Sequence, residues 1–225
     1  MSIFTAAGFR CRLRVAGTVT CKFVRIRAIL RKKEDVPMKK KDLLLIIDMQ
    51  NVYTAGQDWA CCRIRQAADS ILRLLSSGAF EDVIFTRFLA SQSPSGVWKE
   101  YNRVNEAINR DPWKNEMMPE FAPFLERYPL FTKSVYSSFA IPEVQKAARS
   151  ADRVAVAGVV AECCVLSTVL AGVDAGIPIL YLKDAVSGLT PESERAVQDI
   201  LSGFEPLHVR ILSVSDYLSG HGGAR

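Results

Sequence analysis

Three reactive side chains follow apolar segments of the sequence at widely separated positions. Asp48 ends the run LLLIID, Lys133 ends LFTK, and Cys164 comes shortly after RVAVAG. A cysteine attacks as its thiolate, which a neighbouring ammonium group and the first turn of a helix both favour. A carboxylate can accept the thiol proton and later return it to a leaving amine or to water. These residue types together predict nucleophilic catalysis by a cysteine, provided that the fold brings them to one place.

The adjacent cysteines Cys163 and Cys164 stand between an apolar strand pattern and a helical one. Neighbouring helical residues point in different directions, so we interpret Cys164 as the nucleophile and Cys163 as its packed neighbour. Three alternatives stay open from the residues alone: a strained vicinal disulfide, a thiol redox pair, and core packing of both side chains. The second pair, Cys61 and Cys62, has no partner histidines for a zinc site, and we interpret it as packing.

The elements that must position these residues alternate along the chain. Apolar runs predict buried parallel strands, and apolar residues at helical spacing between them predict helices on both faces of one sheet. We therefore expect a three-layer αβα sandwich with a six-stranded parallel sheet, whose site lies at the carboxyl ends of the strands. The predicted strands are 43–48, 82–87, 130–133, 153–158, 177–185 and 208–212. The predicted helices are 64–77, 141–151, the segment after residue 164, 191–202 with Thr190 as N-cap, and 215–218, while 88–129 is expected to hold short helices and loops.

Three motifs, in this order, resemble the isochorismatase-like cysteine hydrolases over nearly all of 41–218. LLLIIDMQNVY resembles the family's opening strand with its D-x-Q motif, FTKSVYSSFA its lysine segment, and GVVAECCV its nucleophile motif. The resemblance implies an αβα fold and an amidohydrolase in which Asp48 is the acid/base, Lys133 its partner and Cys164 the nucleophile. It also implies a non-proline cis bond between Val159 and Val160, with the amides of Val160 and Cys164 as the oxyanion hole.

The resemblance also narrows the substrate. The nicotinamidase branch binds a metal through an aspartate and histidines near the first two strands, whereas this chain has only His208 and His221, neither of them there. The branch that cleaves vinyl ethers lacks the cysteine. We therefore expect a metal-independent amidase without a cofactor, acting on a small amide, ureide or carbamoyl compound.

Several side chains are candidate substrate contacts. Arg87 is either a partner for a substrate carboxylate or half of a structural ion pair. The tryptophans are either pocket walls or anchors of the core or of an interface. The candidates are Arg87, Trp98, Tyr101, Trp113 and, above the others because it follows Lys133 at the family's usual position, Phe139.

Charge and composition set the remaining expectations. The net charge of +5 comes from residues 1–37, which hold nine Lys/Arg against two acids, whereas the other 188 residues hold 20 basic and 22 acidic side chains. The segment 1–37 resembles an organelle presequence, but we prefer an extension upstream of a natural start at Met38, with the hydrolase domain at 38–225. The near-neutral body offers no basic surface for nucleic acid, and no apolar run is long enough to span a membrane. We expect a cytoplasmic, reducing location, a small-molecule substrate and, from the resemblance, a homo-oligomer.

One alternative belongs to another functional class. A catalytically idle member of the same fold would act as a binding or oligomeric interaction module. Reactivity of Cys164 toward iodoacetamide distinguishes the two, since a module needs no activated thiol. A redox protein would instead depend on Cys163 as much as on Cys164.

Overall fold

The predicted parallel sheet is confirmed. The computed structural model describes residues 41–220, and the expectations for 1–37 and for a start at Met38 lie outside the described residues. All strand pairs are parallel, in the order β3-β2-β1-β4-β5-β6. The strands are β1 Asp42–Ile47, β2 Asp82–Phe88, β3 Leu130–Lys133, β4 Arg153–Val159, β5 Ile179–Ser187 and β6 Val209–Leu212.

Nine α-helices cover this sheet within the described range 41–220. Three elements have the bounds predicted from the sequence: α1 at Ile64–Ser77, β3, and α8 at Pro191–Ser202. The Thr190 side chain caps α8 by accepting from the Ser193 amide. The long connection after β2 holds only short helices, as expected. The helices are α1 Ile64–Ser77, α2 Trp98–Val104, α3 Glu106–Asn109, α4 Pro112–Asn115, α5 Ala122–Leu125, α6 Pro142–Ser150, α7 Leu166–Asp174, α8 Pro191–Ser202 and α9 Val214–Leu218.

The central strand β1 is apolar from Leu43 to Ile47 because its two faces enter two different cores. Leu44 and Ile46 pack with α1 and α9 on one side of the sheet, whereas Leu43 and Leu45 pack with α6, α7 and α8 on the other. Successive strand residues point to opposite faces, so a strand buried on both sides loses the alternation of polar and apolar residues. The result is the three-layer αβα sandwich. No helix of the described chain is both long and apolar enough to cross a membrane.

The strand order reverses beside β1, and this reversal positions the site. The chain moves from β1 outward to β2 and β3, then crosses back to β4 on the other side of β1. Helices after β1 and after β4 therefore leave in opposite directions, and a crevice opens at the carboxyl ends of these strands.

Candidate active site

The fold brings Asp48, Lys133 and Cys164 together at the carboxyl edge of the sheet. Lys133 Nζ donates to Asp48 Oδ2 at 2.5 Å and to Cys164 Sγ at 3.2 Å. All three side chains are buried, with relative exposures of 0%, 3% and 3%. They come from the ends of β1 and β3 and from the turn after β4, which are adjacent because parallel strands end at one edge. An ammonium group thus lies between a carboxylate and a sulfur.

Asp48 leaves its strand abruptly and is held on several sides. Its φ of +53° is left-handed, a conformation that aspartate tolerates better than most residues. Thr86 Oγ1 donates to Asp48 Oδ1 at 3.0 Å from the neighbouring strand. The D-x-Q glutamine, Gln50, bonds the backbone of Phe88 in both directions and donates to the carbonyl of Asn115. The second polar residue of the motif therefore ties the ends of β1 and β2 to the long connection.

The corner after β4 presents Cys164, the predicted nucleophile. Gly158 has a φ of +112°, and a Cβ there would overlap the backbone of Ile47 on β1, so only glycine fits. The bond between Val159 and Val160 is cis, which confirms that prediction. The chain then makes a π-helical turn, Ala161–Val165, before α7 begins. In this turn the amides of residues 163 and 165 both donate to the carbonyl of Val160, at 3.1 Å each.

The surroundings of Cys164 oppose ionisation of its thiol. Burial raises its pKa, and the charge of Asp48 raises it further, whereas Lys133 opposes both effects only in part. Burial disfavours the charged form of Lys133, but the charges of Asp48 and Cys164 outweigh burial and raise the Lys133 pKa. The expected effect of Lys133 is present, since it lowers the Cys164 pKa, but burial and the charge of Asp48 outweigh it.

An aromatic cavity of about 190 Å³ opens above Cys164. Of the trio only the cysteine reaches its surface, since Asp48 and Lys133 lie behind the sulfur. Lys133 Nζ is 5.5 Å from the centroid of the Phe88 ring, which forms part of the wall. No charged side chain lines the cavity, as far as residues 41–220 are concerned. The lining residues are Tyr53, Trp59, Phe88, Tyr101, Tyr136, Val160, Cys163, Cys164 and Leu189.

Of the predicted substrate contacts, Tyr101 lines the cavity and the others do not. Tyr101 lines the cavity, whereas Trp98 lies one ring behind, with its centroid 5.1 Å from that of Tyr101. Arg87 points away, and its Nε donates to Thr132 Oγ1 at 3.0 Å, because strand alternation places it opposite its neighbours on β2. Trp113 is half exposed and does not line the cavity.

Phe139 was the preferred substrate contact, but it also lies off the cavity. It is buried in the core that β1 shares with α6, α7 and α8. Its ring lies so close to Gly172 of α7 that a Cβ on that glycine would be 2.9 Å away. The 3-10 turn Ser138–Ala140 directs the ring under α7 and not toward the sulfur.

Most of the residues that line the cavity were not predicted from the sequence. Tyr53, Trp59, Phe88, Tyr136 and Leu189 come from four separate segments, and Cys163 lines the cavity although it was expected to pack in the core. A usable signal existed for two of them. Tyr53 follows Asp48 by five residues and Tyr136 follows Lys133 by three, so both leave the sheet at the catalytic edge.

An ion pair between Arg63 and the buried carboxylate of Glu194 supports the cavity wall near Leu189. Glu194 on α8 is 4% exposed and accepts from Arg63 Nε at 2.6 Å, from the Gly188 amide at 2.9 Å and from Ser187 Oγ at 3.1 Å. Burial alone would raise the pKa of Glu194, but Arg63 and the Gly188 amide outweigh it and lower that pKa. The pair joins the start of α1 to the end of β5, next to Leu189.

The cysteines of the described chain are all free thiols, so Cys163 and Cys164 form no vicinal disulfide there. Among residues 41–220 no group of three or more His, Cys, Asp or Glu side chains is placed to hold a metal ion. Among residues 41–220, the reactive side chains at the cavity are therefore those of Asp48, Lys133 and Cys164.

The comparisons with known proteins identify the family of this αβα chain. The family model "Isochorismatase domain" matches residues 42–207, and the chain belongs to the isochorismatase family of hydrolases. No curated protein matches the chain.

Solved structures share this fold at low sequence identity. A cysteine hydrolase from Pseudomonas syringae pv. phaseolicola has a TM-score of 0.67 at 19% identity over 80% of this chain and 92% of its own. An isochorismatase-like hydrolase from Alkaliphilus metalliredigens has a TM-score of 0.64 at 18% identity over 80% and 99%. The nicotinamidase PncA from Bacillus subtilis has a TM-score of 0.61 at 20% identity over 77% and 99%. Such likeness shows the fold, and the chemistry must be argued from the site.

Proposed function

We propose that this protein hydrolyses a carbon–nitrogen bond of a small molecule, with Cys164 as nucleophile and a thioester intermediate. The observation that carries the proposal is the Lys133 ammonium, which contacts both Asp48 and the sulfur behind an otherwise uncharged cavity. A thiol, a proton acceptor and a cation within contact distance are the parts that acyl transfer to sulfur requires. Structural packing alone gives no reason to bury a lysine here, since the desolvation of two charges is costly.

The first half of the reaction forms the acyl-enzyme. Cys164 passes its proton to Asp48 as the sulfur attacks the substrate carbonyl carbon, and the Lys133 ammonium stabilises the negative charge that passes onto sulfur. The carbonyl electrons move to oxygen, where the backbone amides of Val160 and Cys164 would hold the oxyanion. When these electrons return, the C–N bond breaks and the leaving nitrogen takes the proton from Asp48. The products are an amine or ammonia and a thioester.

The second half regenerates the thiol. Asp48 takes a proton from a water molecule whose oxygen attacks the thioester carbon, and the same amides hold the second oxyanion. The C–S bond then breaks, the carboxylic acid leaves, and the sulfur recovers its proton from Asp48. A neutral resting thiol suits this cycle, because the proton that Asp48 needs for the leaving nitrogen is supplied by the thiol itself.

An ammonia-release screen with paired cysteine variants tests the proposal. Wild-type protein is assayed on small amides, ureides and carbamoyl compounds beside Cys164→Ala and the matched control Cys163→Ala. Cys164→Ala should lose at least about a thousandfold in turnover, since removal of a nucleophile removes the covalent route. Cys163→Ala should retain most of the activity. Turnover that survives loss of Cys164, or that falls equally in both variants, contradicts the assignment.

The second candidate is the idle binding module, and one observation favours it. The raised pKa of Cys164 leaves little thiolate in the resting protein. Mass spectrometry of wild-type protein mixed with each amide of the screen separates the two candidates. An adduct of acyl mass on Cys164 supports the hydrolase, whereas ligand binding without adduct or product supports the module.

A further inference from the structure

Three tyrosine hydroxyls of the cavity wall, those of Tyr53, Tyr101 and Tyr136, make no hydrogen bond with any residue in the described part of the chain. Tyr53 is the buried one of the three, at 4% exposure. Glu162 Oε2 is the one fully buried side-chain nitrogen or oxygen without a partner among residues 41–220, so the Tyr53 hydroxyl oxygen retains some exposed surface. A buried tyrosine hydroxyl normally finds a partner. The Tyr53 hydroxyl therefore opens onto the cavity.

The Tyr53 ring is held firmly in this position. Its amide donates to the carbonyl of Gln50 at 3.2 Å, and its carbonyl accepts from the amide of Cys61 at 3.0 Å. Its ring centroid is 5.9 Å from that of Trp59. Burial first, and then the nearby Cys164 and Asp48, raise the Tyr53 pKa, so the group stays a hydrogen-bond donor. Tyr53 and Cys164 line the same cavity.

The cavity has no spare positive charge for an anionic ligand. The Lys133 ammonium has three donors, and they are directed to Asp48 at 2.5 Å, Cys164 at 3.2 Å and the carbonyl of Val135 at 3.3 Å. Arg87 donates to Thr132 outside the cavity. A carboxylate in this space would lose its hydration without gaining a countercharge, which is strongly unfavourable.

The dimensions suit one flat ring. An apolar cavity of about 150 Å³ in another protein accommodates benzene, and this cavity has about 190 Å³. Its walls are aromatic, with the Phe88 and Tyr101 rings edge to face at 6.1 Å and the Trp59 and Phe88 rings at 6.4 Å. Such walls favour planar guests that stack or meet them edge to face.

We propose that Tyr53 determines specificity: its hydroxyl donates a hydrogen bond to an acceptor on a flat, uncharged substrate of single-ring size, and the cavity rejects anionic substrates. This inference rests on the proposed hydrolysis for the orientation of the substrate carbonyl toward Cys164. The proposed substrates are therefore the uncharged amides, ureides and carbamoyl compounds. Arg87, for which binding a substrate carboxylate was one alternative, has no such role in this proposal.

Ligand binding tests this inference separately from turnover. Benzamide, the three pyridine carboxamides and 3-carboxybenzamide are titrated into full-length Cys164→Ala protein by calorimetry, with and without Tyr53→Phe. At least one pyridine carboxamide should bind about tenfold tighter than benzamide, because one hydrogen bond contributes on the order of that factor. Tyr53→Phe should abolish this preference without weakening benzamide. The matched control Tyr128→Phe, a tyrosine at the opposite edge of the sheet, should retain it.

Each outcome of this titration is decisive. Binding of 3-carboxybenzamide as tight as that of benzamide overturns the exclusion of anions. A preference for the ring acceptor that persists in Tyr53→Phe, or binding of none of the neutral ligands, overturns the role of Tyr53. If the expected binding pattern appears but wild-type protein releases no ammonia from the bound amides, the proposed hydrolysis fails and the specificity inference stands.

Discussion

Replacement of Asp48 by asparagine separates the two effects that its carboxylate has on the thiol. Because Lys133 Nζ is 2.5 Å from Asp48 Oδ2 and 3.2 Å from Cys164 Sγ, the carboxylate lies within about 6 Å of the sulfur. At an effective dielectric constant of about 20, a unit charge at that distance contributes about 3 kcal/mol, or roughly a hundredfold in thiol ionisation. Asparagine keeps the size of the side chain and removes this charge. The Lys133 ammonium then faces the sulfur without a competing anion.

Asp48→Asn should accelerate alkylation of Cys164 by iodoacetamide at neutral pH while hydrolysis falls at least about a hundredfold. The gain in alkylation is smaller than the gain in ionisation, since a more acidic thiol gives a weaker nucleophile; with a Brønsted slope of about 0.4–0.5, roughly tenfold remains. Mass spectrometry of the alkylated peptide measures the rate at each cysteine. The same measurement on Cys163→Ala removes the signal of the neighbouring thiol, and urea unfolding verifies that the variants are folded.

Two results would refute this account of the site. If folded Asp48→Asn alkylates no faster than wild type, the carboxylate does not oppose the thiolate, and the electrostatic argument from burial and distance is wrong. If hydrolysis persists in that variant, Asp48 is not the group that moves the proton.

Three further substitutions test the surroundings of the trio. Gly158→Ala should prevent stable folding because its Cβ would overlap the adjacent strand, whereas Gly176→Ala, at a φ of +71° in open space, should cost about 1–2 kcal/mol in urea unfolding. Thr86→Val should lower kcat/KM about 10- to 100-fold by removing the donor to Asp48, and Thr86→Ser should restore most of it. Glu194→Gln should destabilise the protein at neutral pH by breaking the buried ion pair. Because the folded-state pKa of Glu194 is lowered, this loss should be full above the unfolded value of about 4.3 and should shrink as the pH falls through the folded value.

Each of these three predictions has a result that would contradict it. A Gly158→Ala protein as stable as Gly176→Ala contradicts the close approach of β1 and β4. Equal activity of the Val and Ser variants at Thr86 shows that its hydroxyl does not support Asp48. A Glu194→Gln deficit that is independent of pH assigns the effect to packing and not to the charge of Glu194.

The meeting of Asp48, Lys133 and Cys164 was predictable because strand ends are local features of the sequence. Asp48 and Lys133 end apolar runs that form β1 and β3, and Cys164 follows the run that forms β4. Parallel strands end at one edge, so locating these runs was enough to place their last residues near each other. The orientation of Arg87 away from the cavity follows from strand alternation. Thr86 bonds to Asp48, and its strand neighbour Arg87 must face the opposite side.

The cavity wall was not predictable in the same way. Its rings come from the turn after β1, the end of β2, the short helix α2 and the turn after β3, and no periodicity links these segments. Their meeting depends on long-range contacts, such as those that Gln50 makes with Phe88 and Asn115. The prediction for Phe139 was wrong for the same reason. The orientation of a residue in a loop is set by the local turn, and no periodic pattern in the sequence reveals it.

The sequence by itself determined the sheet, its catalytic edge and the three side chains that meet there, because strand patterns and motif order are encoded over a few residues each. Only the tertiary structure decided the direction in which the thiol pKa shifts and the residues that line the cavity. Burial and the opposing charges of Asp48 and Lys133 act through space on Cys164, and their balance exists only after the chain has folded. The same holds for Tyr53, because only the packed structure leaves its hydroxyl without a protein partner in the cavity that Cys164 also lines.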